Sequence, residues 1–89
     1  MDTLQNARKT INEIDHEIAK LFEKRMQAVE QVALYKKEHQ MEIFDSKREE
    51  ELLNRNCGYI QNEQYLPYYR TFQKQIMDIS KDYQKDLLK

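Results

Sequence analysis

From Thr3 to His39 the chain contains neither glycine nor proline, and apolar or aromatic side chains recur at Leu4, Ala7, Ile11, Ile14, Ile18, Leu21, Ala28, Val32 and Tyr35. Charged residues fill the positions between them, which is the pattern of one amphipathic helix with a 3.5-residue seam. At 1.5 Å per residue such a helix is roughly 55 Å long. A compact chain of 89 residues has a radius of gyration of only about 12 Å. The rod therefore overhangs any globule this chain can build, and a second chain is expected to cover it.

The remainder offers few turn signals. One glycine, one proline and a charged fraction of 35% argue for a few long helices, so an all-α fold with three helices is expected. Gln40 to Asp45 interrupts the first pattern, and Ser46 followed by Glu49 forms a capping box that opens a second helix at Lys47. Leu52, Leu53, Asn56 and Ile60 share one face of it, with Glu49 one turn earlier on the same side. Gly58 weakens this helix without being required to end it. Asn62 to Pro67 forms a second connector, with Pro67 suited to the first turn of a third helix. There Tyr65, Tyr69, Phe72, Ile76, Ile79 and Tyr83 make an apolar stripe running on to Leu87, flanked by Ser80 and Gln84. The expected helices span about 3–39, 46–61 and 66–88, in a single domain covering 1–89.

Fifteen Lys and Arg nearly balance sixteen Asp and Glu, for a net charge of -1. Neither a nucleic-acid footprint nor attraction to an anionic membrane follows from that balance. No apolar stretch approaches a signal sequence or a membrane span. The lone Cys57 forms no internal disulfide, which points to a reduced, cytoplasmic setting. Cys57, His16 and His39 lack metal-ligand spacing, and neither metal nor cofactor is expected. Cys57 reads as a small half-buried residue rather than a nucleophile. The chain runs to Lys89 without a linker, so a free-standing protein is expected.

One position of the long seam is Arg25. Its guanidinium cannot lose its charge, so among apolar neighbours it must meet a carboxylate, snorkel to water or bind an anionic ligand. Lys36, eleven residues on, returns to within about 20° of the same direction at a rise of roughly 16 Å, so the two cations can lean together on one small dianion. Arg8 lies about 25 Å from Arg25 along the axis and about 42 Å from Lys36. It can join them only from a second subunit. Arg and Lys together suit a carboxylated substrate, the first as a two-pronged donor and the second as a mobile point charge. Asp45 and Glu49, one turn apart at the start of helix two, either stabilise that helix end or accept from a ligand hydroxyl. Ser80 and Gln84 add neutral donors, or are ordinary polar flank. Arg48 is expected to pair with Asp45 or Glu49, His39 to cap helix one, and the tyrosines to build core and interface.

The stretches "ARKTINEIDHEIAKLFEKRMQAVEQVALYK" (Ala7 to Lys36), "IFDSKREEELL" (Ile43 to Leu53) and "FQKQIMDISKDYQ" (Phe72 to Gln84) together resemble the all-helical, AroQ-type chorismate mutases. The specific combination is I-D-x-x-I-x-x-L-x-x-x-R-M, then Y-K, then D-x-x-R-E-E. The resemblance implies three helices per chain interlocked in a homodimer, with each active site drawing on both subunits. It further implies that Arg25 clamps one substrate carboxylate with help from Ser80, and that Lys36 and Arg8 from the other subunit hold the second. Lys36 and Gln84 would donate to the ether oxygen, and Asp45 and Glu49 would orient the ring hydroxyl.

The reaction implied is the rearrangement of chorismate to prephenate in aromatic amino acid biosynthesis, where one C–O bond breaks as a C–C bond forms. It needs no nucleophile, only a pocket that holds the flexible dianion compactly and stabilises charge growing on the ether oxygen. Two alternatives stand beside it. One is removal of pyruvate from isochorismate on the same fold; the other is a helical dimerisation module without chemistry.

Overall fold

The computed structural model describes residues 2–89, so Met1 of the expected domain lies outside the described residues. Three helices follow one another: α1 over Thr3–Glu38, α2 over Ser46–Cys57 and α3 over Leu66–Leu87, the last preceded by a short 3₁₀ turn at Glu63–Tyr65. No strand occurs among the described residues, and no helix is long and apolar enough to cross a membrane.

The capping chemistry explains where each helix starts and stops. At the start of α1 the Asp2 carboxylate accepts from Gln5 N–H at 2.8 Å, and the Gln5 side chain accepts from Asp2 N–H, a capping box. At its end His39 is the C-cap, its ring stacked on Tyr35 and its Nδ1 2.9 Å from the Tyr35 carbonyl. Gln40 then turns left-handed at φ 55°. Gln40 N–H reaches the Lys37 carbonyl and Met41 N–H the Lys36 carbonyl, closing a Schellman motif without the usual glycine.

Two expectations are corrected at α2. Its cap is Asp45, whose carboxylate accepts from Arg48 N–H at 3.0 Å, so Ser46 lies inside the first turn and the Ser46/Glu49 box is not the one used. Both residues precede a helix competently, and the acid one position earlier wins. The helix then ends at Cys57, short of residue 61. Gly58 N–H is shared between the Asn54 and Arg55 carbonyls, Tyr59 donates to Asn56 and Ile60 to Cys57. These shorter-range bonds tighten and dissolve the last turn where glycine weakens the helix. Pro67 sits in the first turn of α3, as expected.

The largest difference concerns which side of α3 faces inward. Gln73, Met77, Ser80 and Gln84 are the buried residues of that helix. The apolar stripe, displaced from them by one residue or about 100°, stays partly open: Phe72 is 48% and Ile79 42% exposed. Among the described residues the apolar core is small, comprising Val29, Ala33, Cys57 and Met77. α3 is tied to α1 by a Tyr83 hydroxyl donating to the Glu30 carboxylate, a bond that raises the phenol above its ordinary pKa. Every described α1 residue up to Lys24 is exposed. The radius of gyration is 16.3 Å and the long dimension 55 Å, against the roughly 12 Å of a compact chain this size.

Candidate active site

A cleft of about 190 Å³ opens where the C-terminal third of α1 meets α2 and α3. Arg25, Lys36 and two valines line it from α1, Ile43 and Asp45 from the connector, Arg48, Glu49 and Leu52 from α2, and Met77, Ser80, Lys81 and Gln84 from α3. Six of the residues singled out from the sequence, Arg25, Lys36, Asp45, Glu49, Ser80 and Gln84, are thus brought together. Arg8 is not: it stands exposed on the free arm of α1.

Arg25 is half-buried, and its guanidinium donates to the Ser80 hydroxyl. Ser80 in turn donates to the Ile76 carbonyl at 2.9 Å, one turn back on α3. That orients its oxygen as an acceptor. Among the described residues no carboxylate pairs with Arg25, and burial lowers its pKa from the ordinary arginine value. It nevertheless remains charged. An internal ion pair therefore does not account for the arginine in the seam.

Lys36 points into the cleft from the last turn of α1, where the helix dipole favours a cation. Its Nζ donates to the Ile43 carbonyl at 2.8 Å, fastening the α1–α2 connector. An ammonium has three donors, so two remain for a ligand. Gln84 is 6% exposed, and its Oε1 is buried without a hydrogen-bond partner. A half-turn of the terminal amide exchanges oxygen and nitrogen, so the position can deliver an N–H donor equally well.

Asp45 spends one carboxylate oxygen on the helix cap and still borders the cleft. Glu49 is 23% exposed and pairs with Lys81, whose Nζ lies 3.1 Å from Oε2 and 3.3 Å from Oε1. The expected pairing of Arg48 with these acids is corrected here. Asp45 is turned onto its own helix terminus and Glu49 is taken by Lys81, leaving the Arg48 side chain on the cleft wall without an ion pair among the described residues. Lys81 was not anticipated. A signal existed, because Glu49 has no basic residue one turn away on α2 and so needs a partner from another element.

Counted together, the lining holds four cations (Arg25, Lys36, Arg48, Lys81) and two carboxylates (Asp45, Glu49). The surplus is two positive charges in a cleft partly screened from water, where charge interactions are stronger than in bulk solvent. The family described as chorismate mutase type II matches residues 7–85. This chain belongs to that family. No individual curated protein and no solved structure gives a match.

As a chorismate mutase, the chain is an isomerase that rearranges chorismate, a dicarboxylate, to prephenate, a step that fits aromatic biosynthesis. The match gives no support to the lyase or to a non-catalytic module. The matched span contains every cleft-lining residue, and Arg8 as well.

Proposed function

We propose that this cleft is the mutase active site, and that the working molecule is an interlocked homodimer in which residues 1–89 form one catalytic domain and each of two sites is completed by the other subunit. Arg25, steadied by Ser80, clamps one carboxylate of chorismate. Lys36 and Arg8 of the partner subunit hold the other. Lys36 and Gln84 converge on the ether oxygen as the C–O bond stretches, and Asp45 and Glu49 orient the ring hydroxyl. Cys57, a free buried thiol, fits a reducing, cytoplasmic setting.

The observation that carries this reading is a half-buried arginine with no carboxylate beside it, in a cleft whose excess charge equals and opposes that of the substrate. The dimer rests on a separate one. Leu4, Ile11, Ile14, Ile18, Leu21 and Phe22 are between 45 and 62% exposed on one protomer, and covering them would contribute about 1 kcal/mol each. The arm that carries them also carries Arg8.

Nothing in this site has to attack the substrate. A bound dianion held with its two reacting ends together has already lost the rotational freedom that makes the uncatalysed rearrangement slow. What remains is the negative charge accumulating on the ether oxygen, and donors fixed in advance stabilise it more in the transition state than in the ground state.

Gln84→Glu tests the placement at that oxygen. The amide is neutral at every accessible pH, whereas a carboxyl donates only when protonated. The variant is expected to be active at low pH and to lose kcat/KM tenfold per pH unit above its own pKa, about 4.3 unperturbed and raised by burial. Wild-type activity stays flat across the same range. A variant profile as flat as the wild type would take Gln84 away from the reacting oxygen.

A further inference from the structure

Lys81 occupies a position on α3 between Ser80 and Gln84, the two buried polar residues of the cleft, yet beyond its share of the cleft's positive charge it has no role above. Its side chain is 23% exposed. The ammonium lies 3.1 and 3.3 Å from the two oxygens of Glu49 on α2, 3.4 Å from Asp78 one turn back on α3, and 4.7 Å from the centre of the Phe44 ring on the connector. One cation thus links α3, α2 and the α1–α2 connector at the rim of the cleft. We propose that Lys81 is a positioning residue for the rearrangement, holding the Glu49 carboxylate and the Phe44-bearing connector in place so that Glu49 can serve the ring hydroxyl without repelling the substrate's own carboxylates.

The physical need is plain. Glu49 is three-quarters shielded, and its Oε2 is buried. A carboxylate there faces a doubly negative ligand in a setting where like charges repel more strongly than in water. Removing Glu49 would relieve the repulsion but lose the hydroxyl acceptor; a fixed cation behind it relieves the repulsion and keeps the acceptor. Because Nζ approaches both oxygens almost equally, it also restricts rotation of the carboxylate without using all of its lone-pair sites. A carboxylate has about four such sites, so one ammonium does not exhaust them. The contact with Phe44 adds a cation–π attraction, on the same connector that Lys36 fastens through the Ile43 carbonyl. Lys81 touches neither carboxylate clamp nor ether-oxygen donor, so its effect belongs to binding rather than to the bond-breaking step.

This inference rests on the reading that Glu49 orients the ring hydroxyl, and a double-mutant cycle separates the two. Lys81→Met keeps the length of the side chain and removes the charge. It is expected to raise KM for chorismate about tenfold, with kcat within about threefold of wild type. Lys81→Arg, able to pair with Glu49 through its fork, restores most of the affinity; a residue acting only through apolar packing would be rescued by methionine instead. Glu49→Gln, made alone, weakens binding. Made in the Lys81→Met background, it costs much less, because no unpaired anion is then left behind. Equal cost of Glu49→Gln in both backgrounds, or an unchanged KM in Lys81→Met, would overturn the role of Lys81 while leaving Glu49 at the hydroxyl. A Glu49→Gln variant indistinguishable from wild type in both backgrounds would overturn the reading of Glu49, and the proposal with it. Thermal unfolding of each variant shows whether the fold is retained before the kinetics are compared.

Discussion

Lys36→Ala is expected to lower kcat about 10²- to 10³-fold, the usual cost of removing one donor from an oxygen that becomes anionic in the transition state, while KM changes only a few-fold. The asymmetry follows from geometry. Lys36 stands at the C-terminal end of α1 with one donor spent on the Ile43 carbonyl at 2.8 Å and two free. In the proposed site the carboxylate that Lys36 holds keeps its other cation, Arg8 of the partner subunit, so binding loses little. The ether oxygen has fewer donors to share, and its charge exists only as the bond breaks, so the missing contact is felt in turnover. Saturation kinetics with chorismate separate the two parameters. Unchanged turnover at saturation would remove Lys36 from the reacting oxygen.

Arg25→Leu should separate activity from stability. Loss of a forked donor to a desolvated carboxylate is expected to cost about 2 to 5 kcal/mol of binding, or roughly 30- to several thousand-fold in kcat/KM. The fold should not suffer in proportion. Among the described residues Arg25 has no carboxylate partner to strand, and Ser80 keeps its bond to the Ile76 carbonyl at 2.9 Å. Leucine also continues the apolar seam of α1 and removes a charge that burial disfavours. The melting temperature is therefore expected to hold or rise by a few degrees while activity collapses. A variant that unfolds, or one that keeps full activity, would mean that the arginine is structural.

The two ends of the chain were not equally legible. The long helix could be read because thirty-six consecutive residues without glycine or proline leave the backbone no cheaper alternative, and a seam that long admits one period. The helix-one cations followed directly, since rise and angle along a helix are fixed by counting residues. At α2, Asp45 and Ser46 are adjacent and both cap well, so composition could not choose between them; the structure uses the acid. On α3 the apolar stripe marks a face that stays partly exposed on a single chain. The inward face is instead Gln73, Met77, Ser80 and Gln84, three of them polar and so silent in a hydrophobic pattern. Lys81 is hidden for a related reason. Lys74 and Lys85 stand exposed on the same helix, so a lysine there is ordinary, and the Glu49 carboxylate across the α2–α3 contact sets Lys81 apart.

What joins these observations is our proposal of an active site that one protomer does not finish. In the structure Arg8 and the cleft sit at opposite ends of a 36-residue helix, about 25 Å apart between Arg8 and Arg25. Within a straight helix they never meet. Mixing the inactive variants Arg8→Ala and Arg25→Ala, after unfolding and refolding them together, asks the question directly. In a two-fold dimer with shared sites, a mixed pair contains one site with both arginines and one with neither, so statistical exchange should restore about a quarter of wild-type activity. Mixed dimers shown to form, by differently tagged subunits, yet with no activity beyond that of the parents, would contradict the sharing of sites between subunits.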